Sequence, residues 1–132
     1  MRVQLARILV AEDEEALRGL VARALRQDGH EVVTANDGAE ALDVLVREKG
    51  AFELLLTDIR MPVMDGIALA LAAARDHPAV TILLMTGYAD QRERASGLDA
   101  LIHDVITKPF SLGTIRSAVN DALAAGAARH TH

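Results

Sequence analysis

Cysteine and tryptophan are absent from the 132 residues. That excludes a disulfide framework and thiolate chemistry. Aromatic residues make up only 2%, one tyrosine and two phenylalanines. So few give no platform for stacking nucleic-acid bases, and the core must be aliphatic and alanine-rich. Basic blocks are missing as well: the formal net charge is −5, which argues against a nucleic-acid surface. No apolar run approaches membrane-spanning length, and the amino terminus, Met-Arg-Val-Gln-Leu-Ala-Arg, has no signal-peptide pattern. A cytoplasmic protein with neither membrane nor nucleic-acid partner is expected. The 51% hydrophobic content and the length suit one globular domain. Residues 1–126 read as that domain and 127–132 as a frayed, disordered tail.

The most informative stretch is 54–66. Leu54-Leu55-Leu56 is apolar without alternation, as in a strand buried on both faces of a parallel sheet. It ends in Thr57 and Asp58. Met61-Pro62 then stops strand pairing, and Asp65-Gly66 starts a helix with Asp65 as its N-cap. Asp58 therefore belongs at the carboxyl end of a central strand, where open α/β sheets place their chemistry.

The same grammar repeats along the chain. A first strand over Leu5–Ala11 runs into Glu12 and Asp13, and a helical stripe follows to Gln27, ended by Asp28-Gly29. His30–Ala35 is a second strand, and Ala41, Leu42, Leu45 and Val46 mark a second helix. Ile67, Ala70, Leu71 and Ala74 lie on a third, stopped by His77-Pro78. Val80–Met85 is a fourth strand ending in Thr86-Gly87. Ala89–Ser96 reads as a short polar helix cut by Gly97, with Leu98, Leu101 and Ile102 in a following loop. Val105–Thr107 is a fifth strand ending in Lys108-Pro109-Phe110. Ser111 caps a last helix that ends at Gly126.

Five strands alternating with five helices, without hairpin signals, imply a doubly wound parallel sheet. We adopt the flavodoxin-like order 2-1-3-4-5, a common one for this class, with its site between strands 1 and 3. Glu12, Asp13 and Asp58 then converge, while Thr86 and Lys108 arrive from the other side of Asp58. Clustered carboxylates repel unless a cation joins them, and oxygen-only donors suit Mg²⁺ or Mn²⁺. A carboxylate so placed can attack a phosphoryl group and form an aspartyl phosphate. The Lys108 ammonium and Thr86 hydroxyl would neutralise the phosphoryl oxygens, and Gly87 leaves them room.

The segments Ala11-Glu12-Asp13-Glu14, Thr57-Asp58-Ile59-Arg60-Met61-Pro62, Met64-Asp65-Gly66, Met85-Thr86-Gly87 and Thr107-Lys108-Pro109-Phe110 together resemble the receiver domain of two-component response regulators, over residues 5–125. The resemblance implies that Asp58 is phosphorylated from a phosphohistidine on a histidine kinase or phosphotransfer protein. It implies Mg²⁺ held by Asp13, Asp58 and the backbone carbonyl of Arg60, with Glu12 acting through water. It also implies a cis Lys108–Pro109 peptide and no enzymatic activity beyond the domain's own phosphorylation and dephosphorylation.

Two positions depart from the family. Val105 stands where an aromatic switch residue is common, and Tyr88 is the only tyrosine near Thr86. Arg60 lies where its side chain can block or steer an attacking water. With no effector domain expected after Lys108, output falls to protein contact. The 88–105 stretch and the chain length resemble single-domain receivers of the CpdR type, adaptors for the ClpXP protease that phosphorylation turns off. A diffusible phosphorelay shuttle is the alternative. An Asp-nucleophile phosphohydrolase is disfavoured because Arg60 replaces the aspartate it would need. A flavin module would need a phosphate loop where this chain is acidic.

Overall fold

The computed structural model describes residues 5–87 and 93–129. It is a five-stranded parallel sheet in the order β2-β1-β3-β4-β5, with helices on both faces. The strands are β1 (Arg7–Ala11), β2 (Glu31–Ala35), β3 (Leu54–Asp58), β4 (Thr81–Thr86) and β5 (Asp104–Thr107). The helices are α1 (Glu15–Gln27), α2 (Gly38–Arg47), α3 (Gly66–Asp76) and a C-terminal helix (Leu112–Arg129). Residues 93–95 are also helical and pass into a 3₁₀ turn at Ser96–Leu98. Tyr88 and the start of the expected Ala89–Ser96 helix lie outside the described residues. Among the described residues, no helix is long and apolar enough to cross a membrane.

The unbroken apolar runs have a simple cause. Ile8, Val10, Leu54, Leu56, Leu83 and Met85 pack under α1 and the C-terminal helix. Their strand neighbours Leu9, Leu55, Ile82 and Leu84 pack on the other face, against α2 and α3. Both faces are dry, so no polar alternation survives. The expected caps form: the Asp65 carboxylate accepts the Ala68 amide at 2.9 Å, and the Ser111 hydroxyl accepts that of Thr114 at 3.1 Å. In the segment before β5, Ile102 is buried and Leu98 packs against the core, while Leu101 is exposed.

One expectation is corrected. The last helix does not stop at Gly126 but runs to Arg129, so residues 127–129 are ordered helix, not tail. Gly126 acts as a contact point rather than a terminator. A Cβ there would come within 2.5 Å of Thr81 Oγ1, so glycine lets the helix lie close on the start of β4. Arg129 then donates from Nη2 to the same Thr81 hydroxyl at 2.8 Å and holds the last turn down.

The amino-terminal edge of the sheet is fastened by Arg7. Its guanidinium pairs with Glu31 and Glu48, donates to the Ala51 carbonyl at 3.0 Å, and lies 4.4 Å from the centre of the Phe52 ring. Its backbone amide donates to Glu53 Oε2 at 2.7 Å.

His30 sits close by, 4% exposed, with Nδ1 accepting the Ala6 amide at 3.1 Å. Its Nε2 is buried without a partner among the described residues. Burial pulls its pKa down, opposed by Asp28 and Glu53. The unfolded chain therefore takes up this proton at a higher pH than the folded one. The stability due to neutral His30 is complete above the ordinary value of about 6.5 and declines as pH falls through it. Thermal melts of wild type and His30→Gln between about pH 7.5 and about pH 5.5 are expected to show a larger acid-side loss in the wild type. Equal losses would remove His30 as the cause.

Candidate functional site

Each site residue is fixed by sheet hydrogen bonding carried one step past its strand. The Glu12 amide donates to Ala35 O at 3.1 Å, beyond β1. After Asp58, the Ile59 amide donates to Met85 O at 2.9 Å, and the Lys108 amide donates to Thr86 O at 2.7 Å. Strands β1, β3 and β5, with β4 between the last two, therefore deliver Glu12, Asp58 and Lys108 to one edge, with main-chain precision.

One carboxylate oxygen from each of Glu12, Asp13 and Asp58 lies within 4.8 Å of the others. Lys108 Nζ bridges two of these groups, donating to Glu12 Oε1 at 2.9 Å and to Asp58 Oδ2 at 3.0 Å. The Arg60 amide points at Asp58 Oδ1 at 3.4 Å. Asp58 is 6% exposed and Glu12 is fully buried, whereas Asp13 is exposed. Thr86, 1% exposed, closes β4 one residue past Met85, the register partner of Asp58. Asp13, Glu14, Asp58, Arg60, Gly87, Lys108 and Pro109 line an open cleft of about 720 Å³. Lys108–Pro109 is cis.

Charge is unbalanced in this cluster. Burial, reinforced by hydrogen bonding with Asp58 and opposed by Lys108, pushes the Glu12 carboxyl up to about 8. Burial pulls on the Lys108 ammonium too, but Glu12 and Asp58 outweigh it and hold its pKa above the ordinary value. Glu12 Oε2 is buried with no hydrogen-bond partner among the described residues. Three acidic side chains among the described residues meet the Lys108 ammonium here, and one buried Glu12 oxygen is left over. Such an all-oxygen donor set fits a hard divalent cation.

The loop joining β3 to α3 is drawn tight beneath the cluster. The Gly66 amide donates to Ile59 O at 2.7 Å, and a Cβ on Gly66 would come within 2.0 Å of Asp58 O. Val63 in this loop has φ 69°, a costly conformation for a β-branched residue.

Some of the site was not foreseen. Sequence reasoning expected Lys108 on one side of Asp58, and it also reaches Glu12. The Asp65 cap is shared with Arg94, whose Nη2 lies 3.0 Å from Asp65 Oδ2. Arg18 of α1 reaches back to the Glu12 and Asp13 carbonyls. These are long polar side chains on helices, which in sequence look like any solvated face.

A family model described as "Response regulator receiver domain" matches residues 8–120. The transcriptional regulatory protein TcrA of Mycobacterium tuberculosis H37Rv is 35% identical over 111 residues, which cover 84% of this chain and 43% of that protein. The chain thus spans less than half of that relative, and half or less of others it matches. A CheY-like receiver domain structure from Methanospirillum hungatei JF-1 superposes with a TM-score of 0.86 at 28% identity, covering 96% of this chain and 99% of that one. The response regulator TrrA of Thermotoga maritima, solved in complex with Mg(2+)-BeF, superposes with a TM-score of 0.78 at 29% identity, covering 88% and 97%.

Proposed function

This chain belongs to the response regulator receiver domain family, and from that premise we propose that Asp58 accepts a phosphoryl group from a phosphohistidine on a histidine kinase or phosphotransfer protein. The observation that carries the reading is the cluster of Glu12, Asp13 and Asp58 with Lys108 bridging Glu12 and Asp58. In the reaction, an Asp58 carboxylate oxygen forms the new O–P bond as the P–N bond of the phosphohistidine breaks. The imidazole leaves and its nitrogen takes up a proton from solvent. Lys108, already 3.0 Å from Asp58 Oδ2, turns its ammonium to the phosphoryl oxygens, and the Thr86 hydroxyl donates to another. The chain catalyses no turnover beyond its own phosphorylation and dephosphorylation.

Asp13, Asp58 and the Arg60 carbonyl would hold Mg²⁺, or Mn²⁺ in its place, with Glu12 behind them. The cation supplies neutralisation of phosphoryl charge when bound. The Thermotoga relative's Mg(2+)-BeF complex supports a divalent cation here too.

Output follows from differential affinity of the two phosphorylation states for a protein partner, in the cytoplasm. The face built from residues 93–105 and the C-terminal helix, beside Thr86 and Lys108, is the surface we assign to it. The favoured form of that output is a ClpXP adaptor active without phosphate, and a phosphorelay shuttle is the other. Phosphotransfer from a labelled kinase to wild type, with and without EDTA, tests the core reading: labelling is expected only with the metal. Asp58→Ala in cells separates the outputs. Faster client degradation supports the adaptor, and simple loss of signalling supports the shuttle.

A further inference from the structure

We propose that Arg18 is a positioning residue for the cation site, holding the main chain of the acidic loop so that Glu12 and Asp13 present their carboxylates together. This rests on the reading of Glu12, Asp13 and Asp58 as a Mg²⁺ site.

The loop has a conflict built into it. Two adjacent acidic residues must face one point beside a third carboxylate, and their repulsion favours any backbone rotation that parts them. The Glu12 amide is tied to Ala35 O, but its carbonyl and that of Asp13 have left the sheet. Arg18, half-buried on the first turns of α1, reaches both carbonyls. Its Nη1 lies 2.9 Å from Glu12 O and 3.5 Å from Asp13 O. Its own amide makes the first helical hydrogen bond of α1, to Glu14 O at 2.9 Å, so the side chain reaches back from a turn that is already fixed. These contacts grip the peptide planes that carry the acids, not the carboxylates. Both contacts come from the one terminal nitrogen Nη1, whose two N–H groups can address adjacent carbonyls while the planar guanidinium holds their directions fixed. Partners that orient metal ligands typically change affinity 10- to 100-fold when removed.

The sign of the effect separates positioning from charge. A cation acting only through its charge would oppose a dication at this distance, so its removal would tighten Mg²⁺ binding. A positioning residue does the reverse. Isothermal titration of MgCl₂ into wild type, Arg18→Ala, Arg18→Met and Arg18→Lys at fixed ionic strength makes the comparison. Arg18→Ala and Arg18→Met are expected to weaken binding about tenfold, with Arg18→Lys between them and wild type. Met keeps the aliphatic stem, so it decides the matter should Ala fail to fold. Unchanged or tighter binding in Arg18→Met, with the wild type binding normally, overturns the proposal while leaving the metal site standing. A purely structural role would lower the metal-free thermal midpoint without moving the dissociation constant, and that result also overturns it. No binding by the wild type overturns the metal reading and this inference together.

Discussion

Wild-type protein incubated with Mg²⁺ and a small phosphodonor is expected to gain an acid-labile phosphoryl group, and Asp58→Asn is expected to gain none. The substitution keeps shape and burial at the end of β3 but removes the carboxylate proposed as nucleophile. An asparagine carbonyl still accepts from Lys108, which lies 3.0 Å from Asp58 Oδ2, so the edge of the sheet has no reason to collapse. Circular dichroism of the variant should therefore match wild type while labelling falls to background. Intact-mass measurement before and after acid treatment reads both. Labelling of Asp58→Asn to the wild-type extent would move the acceptor elsewhere.

A second large effect is expected from Gly66→Ala, a change that touches no charged group. The added Cβ would sit 2.0 Å from Asp58 O and 2.9 Å from Ile59 Cα. Both are main-chain atoms, so no side-chain rotation relieves the clash. Either α3 shifts away or the end of β3 moves, and the short Gly66 amide to Ile59 O bond opposes separation. Overpacking of this kind costs about 3 kcal/mol, on the order of a 10 °C fall in the thermal midpoint for a domain of this size. Because the displaced atoms belong to Asp58, phosphorylation should also slow at temperatures where the variant is fully folded. A midpoint within a few degrees of wild type and an unchanged labelling rate would show that the loop yields easily.

The strands were legible because burial on both faces leaves a signature that few other structures share. Ile8-Leu9-Val10, Leu54-Leu55-Leu56 and Ile82-Leu83-Leu84 are each split residue by residue between the two cores. The convergence of Glu12, Asp13, Asp58 and Lys108 was legible for a related reason. Glu12, Asp13 and Asp58 stand at or just beyond the ends of such runs and Lys108 just beyond the edge strand β5, and parallel pairing aligns those ends. The end of the last helix was misread because glycine stops helices in general, whereas Gly126 serves a close contact with Thr81 that only the packing reveals. Arg18, Arg94 and the second arm of Lys108 were hidden because their meaning depends on side-chain reach across elements distant in the chain. His30 gave no sign that it would be a buried acceptor for the Ala6 amide.

The two rims of the sheet differ in what they tolerate. At the amino-terminal rim, the single guanidinium of Arg7 ties Glu31, Glu48, the Ala51 carbonyl and the Phe52 ring into one set of contacts. At the carboxyl rim, Lys108 meets Glu12 and Asp58 where Asp13 also converges, and these are the residues of the candidate site. An engineer wishing to harden this protein has a natural place to work: substitutions around Arg7 act on the seam between strands at the end away from the proposed phosphoryl chemistry. The same layout gives evolution a free variable. The Arg7 rim can be retuned for stability with every residue of the candidate site left in place.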